Sequence, residues 1–145
     1  MSAQTVYLDT SAIVKRYVTQ EESNYIDEIY DRAYSGKLKI GFSIWNIGEV
    51  ATILSKYEKK GILKDCKEVF EIFLGETRLL TKLEQLIIIP LSLEIIIKAT
   101  SYIFKHKIYI ADAIQLASAI EFDGFITYDK TLTNIAKSEG LKLII

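Results

Sequence analysis

The sequence predicts an α/β fold in which a parallel sheet is covered by helices on both faces. Three observations carry this. Short apolar runs alternate with longer amphipathic stretches from one end of the chain to the other. The short runs, such as Leu86-Ile87-Ile88-Ile89, lack the apolar–polar alternation of a strand with one wet face, so they read as strands buried on both sides. Glycine follows helical stretches at Gly36, Gly61 and Gly140, where a helix is expected to stop.

Val6-Tyr7-Leu8 is the first strand, and Asp9-Thr10-Ser11 offers caps for a helix through Lys15, Arg16 and Tyr17. Glu21-Glu22-Ser23 opens a second helix to about Tyr34. Lys39 to Ser43 is a second strand, and Ile44, Ile47, Val50, Ala51, Leu54 and Tyr57 mark one face of the helix after it. Residues 63–83 form a long amphipathic stretch in which Gly75 is a point of division into two helices. Leu86 to Pro90 is a third strand, and Ser92 caps a helix to about His106. Ile110 to Phe122 is a helix rich in alanine, able to approach a sheet closely. Gly124 to Tyr128 is a fourth strand, Lys130 to Glu139 a last helix and Leu141 to Ile145 a fifth strand.

The chain has 145 residues, 50% hydrophobic and 26% charged, which suits one globular domain spanning 1–145. A net charge of −1 excludes a global basic field for nucleic acid, so any such contact needs a local cluster. The single cysteine, Cys66, excludes an internal disulfide and a cysteine metal cage, and its apolar register predicts a buried structural thiol. The single histidine, His106, excludes a histidine-pair mechanism and sits where a helix end favours a cation. The N-terminus lacks a signal-peptide pattern, and residues 87–97 are interrupted by Pro90 and Glu94 and too short to span a bilayer. A cytoplasmic protein without membrane contact is expected.

Asp9 follows the first strand and Asp129 the fourth, so both carboxylates are expected at the carboxyl edge of the sheet, where open α/β folds bind ligands. A helix cap alone would account for either. Thr127 could turn its hydroxyl to the same edge or be an ordinary strand residue. Asp112 lies in the first turn of its helix, and Glu49 falls off the apolar stripe of its own, with Trp45 and Ile53 a turn away on either side. Brought together, four carboxylates without histidine or cysteine suit a hard, oxygen-preferring ion such as Mg²⁺ or Mn²⁺, which activates water for phosphodiester cleavage.

Read as ordered motifs, the chain resembles the PIN-domain family, and most closely the VapC-type toxin ribonucleases of VapBC toxin–antitoxin systems. Val6-Tyr7-Leu8-Asp9-Thr10-Ser11 with Lys15 resembles the first motif, Ser43 and Glu49 the second, Ile110-Ala111-Asp112-Ala113 the third, and Phe125-Ile126-Thr127-Tyr128-Asp129 the fourth. The resemblance implies a three-layer, Rossmann-like α/β/α sandwich with a five-stranded parallel sheet in the order 3-2-1-4-5. It implies that Asp9, Glu49, Asp112 and Asp129 are catalytic, metal-binding acids, supported by Ser11 and Thr127. A further acid that some members carry after the fourth motif is absent, since Lys130-Thr131-Leu132 stands there. The resemblance also implies an RNA substrate, a homodimer and a small antitoxin partner with a DNA-binding end.

An acidic edge on a chain of net charge −1 would repel RNA, so a basic flank is expected. Lys15 and Arg16, one turn after Ser11, are the candidates for it, and Lys130 beside Asp129 is the next. Two other readings compete. An inactive PIN-like RNA-binding module would fit the loss of an acid, and none of the four is lost. A phosphoryl-transfer protein of receiver or phosphatase type would need a lysine after its last strand or a second aspartate at position 11; the chain ends at Ile145 and carries Ser11.

Overall fold

The computed structural model describes residues 4–144. The elements run β1 (Gln4–Leu8), α1 (Thr10–Tyr17), α2 (Ser23–Tyr34), β2 (Leu38–Ser43), α3 (Ile44–Lys59), α4 (Cys66–Lys82), β3 (Leu86–Ile89), α5 (Leu93–His106), α6 (Ile110–Ala119), β4 (Gly124–Ile126) and α7 (Lys130–Ser138). All strands pair in parallel, in the order β3-β2-β1-β4. The alternation of elements thus produced the predicted sheet, with helices on both sides.

The two faces separate by the two-residue period of a strand. Tyr7 lies beside Gly41 on one neighbour and Phe125 on the other, so these three point to the same face. The Phe122 ring meets Tyr7 edge-on there, at 5.4 Å between centroids, and occupies the space a Cβ at Gly41 would need. On the opposite face Phe42 packs on Phe73 of α4, and Phe73 in turn on Tyr17 of α1. The core is therefore divided by β1 and β2, whose residues Val6 to Leu8 and Leu38, Ile40 and Phe42 are buried. Among the described residues no helix is long and apolar enough to cross a membrane.

Four expectations are corrected. The fifth strand, Leu141 to Ile145, is reduced to a parallel bridge between Leu143 and Phe125, and Ile145 lies outside the described residues. Among the described residues it meets β4, which stops after Ile126 and leaves little ladder to extend. The sheet has four strands, and the fifth position of the order 3-2-1-4-5 is held by this bridge. Gly75 does not divide residues 63–83: α4 runs unbroken through it, with Asp65 capping its start by accepting from the Glu68 N–H. Cys66 is the first residue of that helix and half-buried, packed against the margin of the core and not enclosed in it. The helix expected to reach Phe122 ends at Ala119, and a turn carries Phe122 back over the sheet.

Candidate active site

Asp9 stands one residue beyond β1, at the carboxyl edge. It caps α1, its Oδ1 accepting from the Ala12 N–H at 3.0 Å, so the capping role expected of it is present. The same oxygen accepts from the Ser11 hydroxyl at 2.7 Å, and Oδ2 accepts from Thr127 Oγ1. β4 stops at Ile126 because the next backbone groups turn to side chains. Tyr128 N–H donates to Ser11 Oγ at 3.0 Å and Asp129 N–H to Thr127 Oγ1 at 3.1 Å. Ser11 and Thr127 thereby tie the loop after β4 to the loop after β1, and both touch Asp9.

Asp129 caps α7 through Oδ1, which accepts from the Leu132 N–H at 2.8 Å. Asp112 occupies the first turn of α6. Among the described residues none donates a hydrogen bond to its carboxylate. Glu49, off the apolar stripe of its own helix, is half-buried, and its Oε1 accepts from Thr10 Oγ1 at 2.8 Å. All four acids line one cleft of about 170 Å³, together with Thr10, Ser11, Ile53, Gln115 and Leu132. A larger cavity of about 500 Å³ between β3, α5 and α6 contains none of them. Ile87, Ile89, Ile95, Ile120 and Phe122 give it an apolar wall, and size does not make it the chemical site.

The electrostatics of the cleft are those of crowded, partly dried carboxylates. Burial pushes the Asp9 carboxyl up to about 6, its hydrogen bonds from Ser11, Thr127 and Ala12 oppose this, and the charge of Asp129 adds to it. Asp112 is raised by burial and by Asp129, and Glu49 by burial and by Asp112. The acids therefore act on one another in a chain across the cleft. Among the described residues, no three acids, histidines or cysteines are close enough to hold one ion between them, so the set is open and not a closed cage.

Lys15 and Arg16 lie on α1 but do not line the cleft. Arg16 grips Glu76 of α4 with two nitrogens at 2.9 Å, reaches Asp27 of α2 at 2.8 Å and stacks on Tyr30. Tyr17 and Tyr34 donate to the same Glu76 carboxylate. Burial pushes Glu76 up, but these bonds outweigh it and hold the carboxyl below its ordinary value. Lys15 pairs with Glu22 at 3.0 Å and lies over the Tyr128 ring, beside the loop that carries Asp129. Lys130 is exposed at the start of α7. His106 pairs with Glu139 at the end of α5, outside the cleft.

Sequence reasoning passed over the polar residues beneath the acids. Asn46, Gln115 and Tyr7 are buried and hydrogen-bonded to one another, and Asn46 reaches Thr10. A signal existed for two of them. Gln115 is a lone amide between Ile114 and Leu116 in a helix that after Asp112 is otherwise small or apolar, and Tyr7 must place a hydroxyl inside a buried strand.

The PIN-domain family model matches residues 6–138. Solved structures with the same fold include VapBC2 from Rickettsia felis bound to a DNA fragment from its promoter. There the TM-score is 0.64 at 18% identity, covering 97% of this chain and 98% of that one. Mycobacterium tuberculosis VapC20, a sarcin–ricin loop cleaving toxin, gives 0.67 at 11% identity, covering 90% and 94%. A toxin–antitoxin complex from Klebsiella pneumoniae gives 0.59 at 19% identity, covering 97% and 96%. At these identities the likeness is one of fold. No curated protein sequence matches the chain.

Proposed function

This chain belongs to the PIN-domain family, and from that premise we propose that residues 1–145 act as one nuclease unit, a divalent-metal-dependent ribonuclease that serves as the toxin of a type II toxin–antitoxin pair. The single observation that carries the reading is the convergence of Asp9, Glu49, Asp112 and Asp129 on one cleft at the carboxyl edge of the sheet. The donor set fits Mg²⁺ or Mn²⁺: every polar side chain in the cleft offers oxygen except the Gln115 amide nitrogen, and neither histidine nor cysteine lines it. An open arrangement suits Mg²⁺, which keeps several waters and takes only one or two carboxylates. When bound, such an ion would polarise a phosphate oxygen and acidify a water.

The chain's own residues have distinct tasks. Asp112 and Asp129 present carboxylate oxygens to the cleft, Asp112 with no bond from the described residues and Asp129 with Oδ1 given to its helix. Asp9 is held on both oxygens by Ser11, Ala12 and Thr127, which fixes its direction while the two loops stay joined. Burial of this group raises the free energy of its charged form, and a cation relieves that. Lys15 supplies a phosphate contact. The Lys15 side chain itself is only 12% exposed and also donates to the Glu21 carbonyl at 3.1 Å, so the contact requires its more exposed partner Glu22 to give way to a phosphate oxygen. Arg16, expected in the same role, supports it from behind by locking α1 to α2 and α4.

The likeness to the VapBC2 and Klebsiella pneumoniae toxin–antitoxin assemblies supports an antitoxin partner, and the family supports a homodimer. Exposed Ile72 and Leu79 on α4, with Leu83 at its C-terminal cap, give self-association an apolar surface. The deciding experiment is RNA cleavage by the purified protein with Mg²⁺ or Mn²⁺. Activity that stops with EDTA and returns with the ion supports the reading, and activity that survives chelation overturns it. Light scattering at micromolar concentration checks the dimer.

A further inference from the structure

Resting on the reading of the cleft given above, we propose that Asn46 is a positioning residue that orients Glu49 through Thr10, and that Gln115 and Tyr7 form a second branch to the same oxygen. The argument is one of hydrogen-bond polarity. A backbone N–H can only donate, and Ser43 N–H donates to Asn46 Oδ1 at 2.7 Å. That fixes the amide, so Asn46 Nδ2 faces the other way. It donates to Thr10 Oγ1 at 2.8 Å and to Gln115 Oε1 at 2.9 Å. With one of its lone pairs occupied by Asn46, the Thr10 hydroxyl directs its own proton to Glu49 Oε1, at 2.8 Å.

The second branch has the same sense. Tyr7 OH accepts from Ser43 N–H at 3.2 Å and donates to Gln115 Oε1 at 2.8 Å. Gln115 therefore turns Nε2 outward, at 3.4 Å from Glu49 Oε1. Both branches start at one peptide N–H and end on one carboxylate oxygen; Oε2 receives neither. A glutamate has long rotamer freedom, and Asp112 repels this one. Without the two branches only the Trp45 side chain, one turn back on the same helix, is left as a donor to the carboxylate, and Glu49 is freer to swing away from the other acids. A buried polar network in the centre of a fold is costly unless every member is satisfied, and an apolar core would serve packing as well. Its directed end on a cleft carboxylate is what distinguishes it from packing.

The test uses the full-length protein with three substitutions. Thr10→Val keeps the shape and removes the hydroxyl, Thr10→Ser keeps the hydroxyl, and Asn46→Asp keeps the size while replacing the donor by an acceptor. Mn²⁺ affinity is read by paramagnetic resonance titration, the Glu49 rotamer from crystals of the metal-free protein, and cleavage by kcat and KM. Thr10→Val and Asn46→Asp should weaken Mn²⁺ binding by about 10–100-fold. They should lower kcat with little change in KM and release Glu49 from its rotamer, while Thr10→Ser stays near wild type. Thr10→Val that binds Mn²⁺ within twofold of wild type and keeps the rotamer overturns the proposal. If the wild type binds no Mn²⁺, the metal reading of the cleft falls. The rotamer alone then decides positioning, supporting it if Glu49 moves and overturning it if not. Thr10→Val carries the test should Asn46→Asp fail to fold.

Discussion

Asp9→Asn should make the metal-free protein more stable at neutral pH and less stable in acid. Asp9 is 4% exposed, so solvent does little to screen its charge. A carboxyl raised from its ordinary 3.8 to about 6 disfavours its ionised form on folding by about 3 kcal/mol. The sign follows from proton binding. The folded protein holds the Asp9 proton more tightly than the unfolded chain, so this stability is present below about pH 4 and lost as pH rises through about 6. Asparagine removes the charge and keeps the cap, since its Oδ1 still accepts from Ala12 and Ser11. Its Nδ2 takes the place of Oδ2, so the Thr127 hydroxyl must turn its proton elsewhere, a cost of about 1 kcal/mol. The variant should therefore gain about 2 kcal/mol at pH 7.5 and lose about 1 kcal/mol at pH 4. Urea denaturation in EDTA at both pH values measures this. Reading the difference from wild type removes the opposite slopes of Glu76 and Glu139, whose carboxyls are held low. A difference that is flat between pH 4 and 7.5 would refute the reasoning, as would a loss above about 1 kcal/mol at pH 7.5, the size of a broken cap.

Other perturbations test neighbouring parts of the structure. Mn²⁺ at a hundred times its dissociation constant should stabilise the wild type by about 2.7 kcal/mol and Asp9→Asn far less, as thermal melts will show. Lys15→Ala should raise the RNA dissociation constant for all sequences alike and lower the salt slope by about one, with Mn²⁺ affinity unchanged, in a salt titration of binding. Arg16→Ala should cost about 2 kcal/mol in urea, because Glu76 is left half-buried without its cation. Gly75→Ala should stabilise α4 by about 0.5–1 kcal/mol, since a Cβ there meets nothing within 4 Å.

The sequence made the sheet legible because burial on both faces leaves a mark on composition. β1 and β2 carry that mark and are covered on both faces, whereas the edge strand β3 has the same composition but buries only Leu86 and leaves Ile87 39% exposed. Each lies within about two residues of its expected place. The ends of the chain's elements were harder to read because side chains and not propensity set them. Thr127 and Tyr128 have strand chemistry, yet their segment leaves the sheet to bond Asp9 and Ser11. Gly75 looks like a break by propensity, but about 1 kcal/mol per glycine is small against the burial of Phe73, Thr77 and Leu80 around it. The shortened β4 and the unbroken α4 are both cases of tertiary contacts outweighing local preference.

At the site, two roles for one residue were not alternatives. Asp9 and Asp129 both cap helices and both line the cleft, because a helix N-terminus and the end of a parallel strand meet at the same edge. The cap constrains one oxygen and leaves the side chain's position fixed by the fold, so capping is part of how the edge holds an acid in place. Glu49 shows the reverse limit. A helical wheel assigns it to solvent because the wheel sees only its own helix, whereas Thr10 and Gln115 come from α1 and α6. Arg16 shows the same limit: its distance along α1 from Asp9 is local, while its partners Glu76 and Asp27 are 60 and 11 residues away in the chain. What the sequence could not give in each case was direction. Spacing places a residue on an element, but which way its polar atoms face is decided by donors and acceptors arriving from elsewhere. In this cleft that decision starts at the Ser43 N–H.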